Sequence, residues 1–184
     1  MRAANGPADA LHLLYVGRLT PEKDLPVLFR AYQQLANSGR AIHLVLTGDG
    51  AYAPKARASA PAGVTFTGHL EGDDLARAYA SADMFIFPSR TETLGNVVLE
   101  AQASGLPVVT AAEGGVLENV NHGENGLLCA PGDAASFAAR ISQLIDDPAL
   151  RARLAANGRA WAEQRTWDAA FTPLLEGYEE VVAR

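Results

Sequence analysis

The most constraining feature of this chain is a regular alternation of short apolar runs with longer stretches of helical periodicity. The short runs are nearly continuous in apolar residues, as buried parallel strands are, and they occupy residues 11–16, 42–46, 64–67, 84–87, 107–110 and 126–130. The segments between them are long enough for crossover helices. The pattern therefore predicts an α/β fold: a Rossmann-like open parallel sheet of about six strands flanked by helices, with a helical C-terminal segment after Asp133.

Local signals give the first helix and the two ends of the chain. Pro26 fits only the first turn of a helix, so we expect Asp24 to be the N-cap. The apolar face of this helix comprises Leu25, Leu28, Phe29 and Tyr32. Residues 1–10 are small and polar and are predicted to be a tail or linker remnant, which leaves 11–184 as one domain. An apolar edge near the C-terminus is expected to pack either outside this domain or, in a stand-alone module, against the domain itself; it comprises Trp161, Trp167, Phe171 and Tyr178.

Composition excludes several classes of function. The 184 residues are 48% apolar, enough for one domain with a sizeable core. With 15 basic and 21 acidic residues, the chain is not expected to bind nucleic acid or an anionic membrane surface, so any phosphate site must be local. No apolar run approaches the roughly 20 residues of a membrane span. Cys129 is the only cysteine and the four histidines lack metal-ligand spacing, so we expect a cytoplasmic, metal-independent protein.

Two acidic residues eight positions apart, Glu92 and Glu100, form the main candidate site. If the intervening chain is helical, a rise of about 1.5 Å per residue separates them by roughly 12 Å, the span of a nucleotide-sugar from ribose to hexose. Carboxylates suit vicinal hydroxyls, and a helix N-terminus at Gly95 attracts phosphate. The periodicity predicts a buried stripe of Leu94, Val97, Val98 and Ala101 and a polar face of Thr93, Asn96 and Glu100. The plainer alternative is a helix cap at Glu92 and an exposed acid at Glu100.

The loop after the first strand, residues 17–23, carries Arg18 and Lys23. A cation beside a helix N-terminus is disfavoured unless an anion binds there, so the pair indicates a phosphate site; a solvated surface pair is the alternative. Other loops at this edge give weaker signals. Leu70, after the third strand, is placed to meet a base, and Gly114-Gly115 is either a flexible connection or a ligand contact.

One motif is set aside. Residues 48–53 match the dinucleotide pattern G-x-G-x-x-A, with Glu71 about twenty residues on. The pattern belongs after the first strand of its βαβ unit, and Pro54 weakens the helix that should follow. We therefore interpret Gly48 and Gly50 as parts of a plain turn.

Taken together, the ordered motifs resemble the group 1 glycosyltransferases, the retaining family 4 with the GT-B fold. The resemblance covers nearly the whole chain from Leu11 and rests on Val16-Gly17-Arg18-Leu19 with Glu22-Lys23, Thr47-Gly48-Asp49-Gly50, Phe66-Thr67-Gly68, Phe87-Pro88-Ser89, residues 91–109, Gly114-Gly115 and Asn125-Gly126-Leu127-Leu128. The chain departs from the commoner pattern at Thr93-Leu94, where Pro-Phe often follows the first acid, and at Asp24, which is often Gly.

The resemblance implies that the chain is one half of a GT-B architecture, the C-terminal donor-binding domain. It implies a UDP- or GDP-sugar donor, no metal, and an acceptor held by an N-terminal domain that this chain lacks; peripheral membrane contact would come only through that domain. The isolated domain is then expected to be inactive or weakly active. The donor-binding residues would be Gly17, Arg18, Lys23, Leu70, Glu92, Thr93, Leu94, Gly95, Asn96 and Glu100, and Arg18, Lys23 and Glu92 would also be catalytic. Two rival functions are a nucleotide-sugar epimerase on the same fold and a stand-alone nucleotide-binding module.

Overall fold

The computed structural model describes residues 9–182, apart from the side chains at 167, 170, 173, 174, 179 and 180. Most of the predicted tail and the side chain of Trp167 thus lie outside the described residues. The strands are β1 (Leu11–Val16), β2 (Ile42–Thr47), β3 (Val64–Gly68), β4 (Met84–Phe87), β5 (Val108–Ala111) and β6 (Leu127–Cys129). The helices are α1 (Leu25–Asn37), α2 (Ala53–Ser59), α3 (Gly72–Ala80), α4 (Asn96–Ala103), α5 (Ala134–Asp146), α6 (Pro148–Glu163) and α7 (Trp167–Val182), with short 3-10 helices at Pro21–Lys23 and Gly114–Glu118.

The six strands form one parallel sheet in the order β3-β2-β1-β4-β5-β6, which confirms the predicted fold class. Every residue of β2, β4 and β5 is buried, because helices cover both faces of the sheet. At the edge, β3 is half-buried along its whole length. The near-continuous apolar runs in the sequence therefore reflect burial of both faces of the sheet.

The strand order creates a crevice at the centre of the sheet. The chain leaves β1 towards β2 on one side, and after β3 it crosses back to place β4 on the other side of β1. The loops that follow β1 and β4 consequently separate at the carboxyl edge of the sheet. Open α/β sheets bind ligands at such a topological switch point.

The first helix forms as predicted, with one correction at its start. Pro26 lies in the first turn of α1 and Asp24 is the N-cap, as predicted, but Asp24 makes no side-chain capping hydrogen bond. Asp24 is the only described residue other than glycine with a positive φ, at 51°. It follows the 3-10 helix and its backbone N–H bonds to the Pro21 carbonyl at 3.2 Å, so it ends one helix while it begins the next. The left-handed conformation at this junction explains why glycine would also suit the position.

The chain after Asp133 is helical, as predicted. The Asp133 carboxylate accepts a hydrogen bond from the Ala135 N–H at 2.9 Å and caps α5. Among the α7 side chains that the structure describes, Phe171, Leu175 and Tyr178 are 50, 60 and 62% exposed. No helix among the described residues is long and apolar enough to cross a membrane.

Candidate functional site

Lys23 and Glu92 meet at the switch point. Lys23 ends the 3-10 helix after β1, Glu92 lies in the loop after β4, and the Lys23 ammonium donates directly to Glu92 Oε1. The same carboxylate oxygen accepts a hydrogen bond from the buried Ser89 hydroxyl at 2.9 Å. The two charged side chains are only 9% and 16% exposed. The structure thus brings together two of the three predicted catalytic residues as a largely buried ion pair.

The first loop surrounds this ion pair. The buried Tyr15 hydroxyl donates to the Arg18 carbonyl at 3.0 Å, while the Arg18 side chain is exposed. Burial, and then the negative charge of Glu92, raise the pKa of Tyr15 above its usual range, so the phenol stays neutral. A Cβ at Gly17 would lie 2.9 Å from the Tyr15 hydroxyl oxygen, so a glycine is required for this packing. Arg18 is therefore held by its backbone, while its side chain is exposed.

The loop after β2 contains glycines that let it pack closely against the loop after β1. Leu19 donates to the Asp49 carbonyl and accepts from the Tyr52 N–H, both at 2.9 Å. A Cβ at Gly48 would lie 1.9 Å from the Gly17 carbonyl oxygen, so the two loops can approach this closely only without a side chain there. Residues 48–50 thus lead into a turn at 51–52, which the Ala53 N–H closes by donating to the Gly50 carbonyl at 2.9 Å, close to the plain turn predicted there. This segment supports the loop that carries Arg18 and Lys23.

The expectation of a flexible connection at Gly114-Gly115 is wrong. These residues begin a 3-10 helix, and the Gly115 N–H donates to the Glu92 carbonyl at 2.7 Å. A Cβ at Gly115 would lie 2.0 Å from the Thr93 carbonyl oxygen. The pair of glycines therefore packs against the backbone of the acidic loop and fixes its path.

The predicted helix around the acidic pair begins later than expected. Gly95 has a φ of 69° and α4 starts at Asn96, so residues 92–95 are not helical and the estimated 12 Å rise does not apply. Leu94 was predicted to be buried and is 57% exposed. Its carbonyl accepts a hydrogen bond from the Asn119 side chain at 2.5 Å, which holds it outside the helix. Within α4 the stripe is correct at Val98 and Ala101, which are buried.

Glu100 lies on the exposed face of α4, where the Tyr79 hydroxyl donates to its Oε2 at 2.8 Å. A groove of about 700 Å³ runs past it. Among the predicted binding residues, Leu94, Asn96 and Glu100 line this groove on one side. The other side includes residues from α6 and from the start of α7, among them Trp161 with the Arg165 guanidinium stacked 4.4 Å above its ring.

The predicted site residues therefore fall into groups along one edge of the sheet. Gly17, Arg18, Lys23 and Glu92 lie around the switch point. Exposed Thr93 and buried Gly95 connect this group to the groove. Leu70 is half-buried just after β3, two strands away from β1.

Sequence reasoning missed the polar side chains that support these residues. Ser89 contacts Glu92 and Tyr79 contacts Glu100, and neither was given a role at the site, although Ser89 lies two residues after a predicted strand. Buried Gln102 and Asn125 both donate to the Asn119 carbonyl, at 3.2 and 3.0 Å, and so fix the residue that holds Leu94. Tyr79 and Gln102 contact residues 21 and 17 positions away, and the sequence carries no local signal for contacts at that separation.

No group of three metal-ligating side chains occurs within residues 9–182 as described. Cys129 is buried, and burial raises the pKa of its thiol to about 12. Because the thiolate is the reactive form, Cys129 is not available as a nucleophile near neutral pH.

A parallel sheet of this order, with an ion pair at its switch point, defines a doubly wound α/β domain that takes its ligand at the carboxyl ends of the strands. The family model for glycosyl transferases group 1 matches residues 2–161. The chain belongs to this family.

Curated relatives and a solved structure agree with this assignment. The sulfoquinovosyl transferase SQD2 of Arabidopsis thaliana is 37% identical over 95% of this chain and 34% of its own length. A GDP-mannose-dependent alpha-mannosyltransferase of Corynebacterium glutamicum is 35% identical over 100% of this chain and 43% of its own. The crystal structure of Anabaena Alr3699/HepE in complex with UDP and glucose matches with a TM-score of 0.83 and 28% identity, over 97% of this chain and 50% of that one.

The chain thus spans half or less of the length of these proteins. Its sheet corresponds to one half of a GT-B architecture, as the sequence predicted.

Proposed function

We propose that this chain is the C-terminal, donor-binding half of a glycosyltransferase. It binds a nucleoside-diphosphate sugar for metal-independent, retaining transfer of a hexose to an acceptor held by an N-terminal half that lies outside this chain. The observation that carries the proposal is the Lys23–Glu92 ion pair at the switch point. A cation and a carboxylate side by side suit a ligand with a phosphate next to a hydroxylated ring.

Each predicted residue has a role in this proposal. Lys23 and Arg18 hold the diphosphate, and Gly17 lets it approach the backbone. Glu92 faces the transferred sugar, and residues 93–96 cradle the distal phosphate and sugar. Glu100 accepts hydrogen bonds from the ribose hydroxyls, and Leu70 lies against the base.

Transfer requires stabilisation of the negative charge that develops on the leaving diphosphate. Lys23 and Arg18 supply positive charge without a metal, and the dipole of α4 adds a partial positive charge at its start. Lys23 is largely buried, and a charge fixed in a partly dehydrated crevice acts more strongly than one in water. The same positive charges bind the donor in its ground state.

Several observations support the donor class and the missing half. The corynebacterial relative is named for GDP-mannose, and the Anabaena structure contains UDP and glucose, so both bases are candidates. The exposed apolar residues of α7 offer a surface for the N-terminal half. The net charge of −6 speaks against nucleic acid as a partner. A cytoplasmic location stays a prediction.

The test is a calorimetric panel of UDP, GDP, ADP and the corresponding nucleotide-sugars on the purified chain. We expect one base to bind best, and we expect Arg18→Ala and Lys23→Ala to weaken binding at least about fivefold, since each removes a charged hydrogen-bond donor. Absence of binding to every member of the panel would contradict the donor-site function. Product analysis with a full-length protein distinguishes transfer from epimerisation, and the absence of turnover by such a protein would favour a stand-alone binding module.

A further inference from the structure

Tyr79 connects a buried part of the fold to the acid proposed to bind ribose. It lies in α3, is 3% exposed, and packs its ring 6.0 Å from that of Phe85 in β4. Its hydroxyl donates to Glu100 Oε2 at 2.8 Å. Glu100 itself is exposed on α4. A rigid, buried group therefore holds one oxygen of an exposed, flexible carboxylate.

The direction of this hydrogen bond is fixed. Burial, and then the charge of Glu100, raise the pKa of Tyr79 above its usual range, so the phenol keeps its proton at any physiological pH. Glu100 is consequently the acceptor. Its other oxygen, Oε1, has no hydrogen-bond partner among the residues the structure describes, and Glu100 lines the open groove.

We infer that Tyr79 is a positioning residue that sets the selectivity of this site for ribose over a sugar that lacks the vicinal hydroxyls. This inference rests on the proposed donor-binding function. By holding Oε2, Tyr79 restricts the rotamers of Glu100 before the ligand arrives and leaves Oε1 to accept from the ribose. The ordering of a long side chain is a cost of binding that this contact removes in advance.

The experiment compares UDP and GDP with their 2′,3′-dideoxy counterparts by calorimetry. The quantity measured is the ratio of the dideoxy Kd to the ribose Kd for whichever base binds. In Tyr79→Phe, which removes only the hydroxyl, we expect this ratio to fall by about threefold to tenfold, the loss that corresponds to ordering one flexible side chain. Glu100→Gln should lower the ratio further, because it removes the acceptor charge.

Tyr32→Phe is the matched control. The Tyr32 hydroxyl donates to the Gly63 carbonyl at 3.0 Å. Gly63 lies just before β3, at the end of the strands opposite to the site, so removing this hydroxyl should change stability but not the ratio of the two Kd values. If Tyr79→Phe raises both Kd values equally, Tyr79 is only structural and the inference is wrong. If the wild-type chain binds neither UDP nor GDP, the inference fails; if it binds no member of the nucleotide panel, the proposed function fails as well.

Discussion

Neutralising the two members of the Lys23–Glu92 ion pair should change anion binding in opposite directions. Glu92→Gln keeps an oxygen that can accept from Lys23 and Ser89 but removes the negative charge beside the cation. Lys23→Met keeps the apolar stem and removes the positive charge. Pyrophosphate is the right probe, because it tests the diphosphate position without a base, a ribose or a hexose.

The magnitude follows from the geometry. Both side chains are at most 16% exposed, so an effective dielectric constant near 20 applies, and two unit charges about 5 Å apart then interact by about 3 kcal/mol. The open side of the crevice reduces this value. We expect Glu92→Gln to bind pyrophosphate about fivefold to thirtyfold more tightly than wild type, and Lys23→Met to bind it at least about tenfold more weakly.

Isothermal titration at low and moderate ionic strength measures both effects. Asp146→Asn is the control, since its partner Arg40 lies just before β2, at the opposite end of the strands from the site, and the two side chains of this ion pair are 54% and 34% exposed. Stability alone does not discriminate, because removing either partner of a buried pair destabilises the fold. Weaker pyrophosphate binding by Glu92→Gln would refute the reasoning, since the carboxylate would then be assisting the anion.

Three further predictions test the supporting structure. Gly115→Ala should abolish pyrophosphate binding, measured by calorimetry, and lower the melting temperature, because its Cβ would meet the Thr93 carbonyl. Gly177→Ala is the control and should do neither, because the space around Gly177 is open. Asn119→Ala should lower the free energy of unfolding in urea by about 1–3 kcal/mol, since it leaves the Leu94 carbonyl without its donor, whereas the exposed Asn157→Ala should cost less than about 1 kcal/mol. Burial, and then the nearby His12, lower the pKa of His43, so the unfolded chain binds the proton first and the free energy of unfolding should fall as pH drops below about 6.5. His43→Gln should lose less of that free energy than wild type between about pH 7.5 and about pH 5.5. An equal loss in both proteins would contradict this cause.

The sequence predicted the sheet well because two-sided burial leaves a strong local pattern. All six strands appear within one or two residues of their predicted bounds, because each is an apolar run with turn residues at its ends. The start of α4 was mispredicted because apolar periodicity continues across Leu94 and Gly95, while the actual boundary depends on the left-handed Gly95 and on a hydrogen bond from distant Asn119.

The sequence predicted the charged residues of the candidate site but not the contacts between them. Arg18, Lys23, Glu92 and Glu100 were recognised as charged residues in loops or at a helix face of the same sheet edge. That Lys23 would contact Glu92, or that Tyr79 would hold Glu100, depends on which strands are neighbours. Strand order is a property of the whole chain, so no local pattern encodes it.

The strand order also has a consequence for how this protein folds and comes apart. The β1–β4 ladder joins the first and second halves of the chain through only two residue pairs, Leu13 with Met84 and Leu14 with Phe85, whereas β1 pairs with β2 along its full length. Lys23 follows β1 and Glu92 follows β4, so these two residues, 69 positions apart, lie on opposite sides of the short β1–β4 ladder. Because contacts distant in sequence are slow to form, we expect the crevice to assemble after the more local pairing of β1 with β2. A donor bound there would act as a cross-link between the two sides of the crevice, so we expect the ligand to raise the free energy of unfolding.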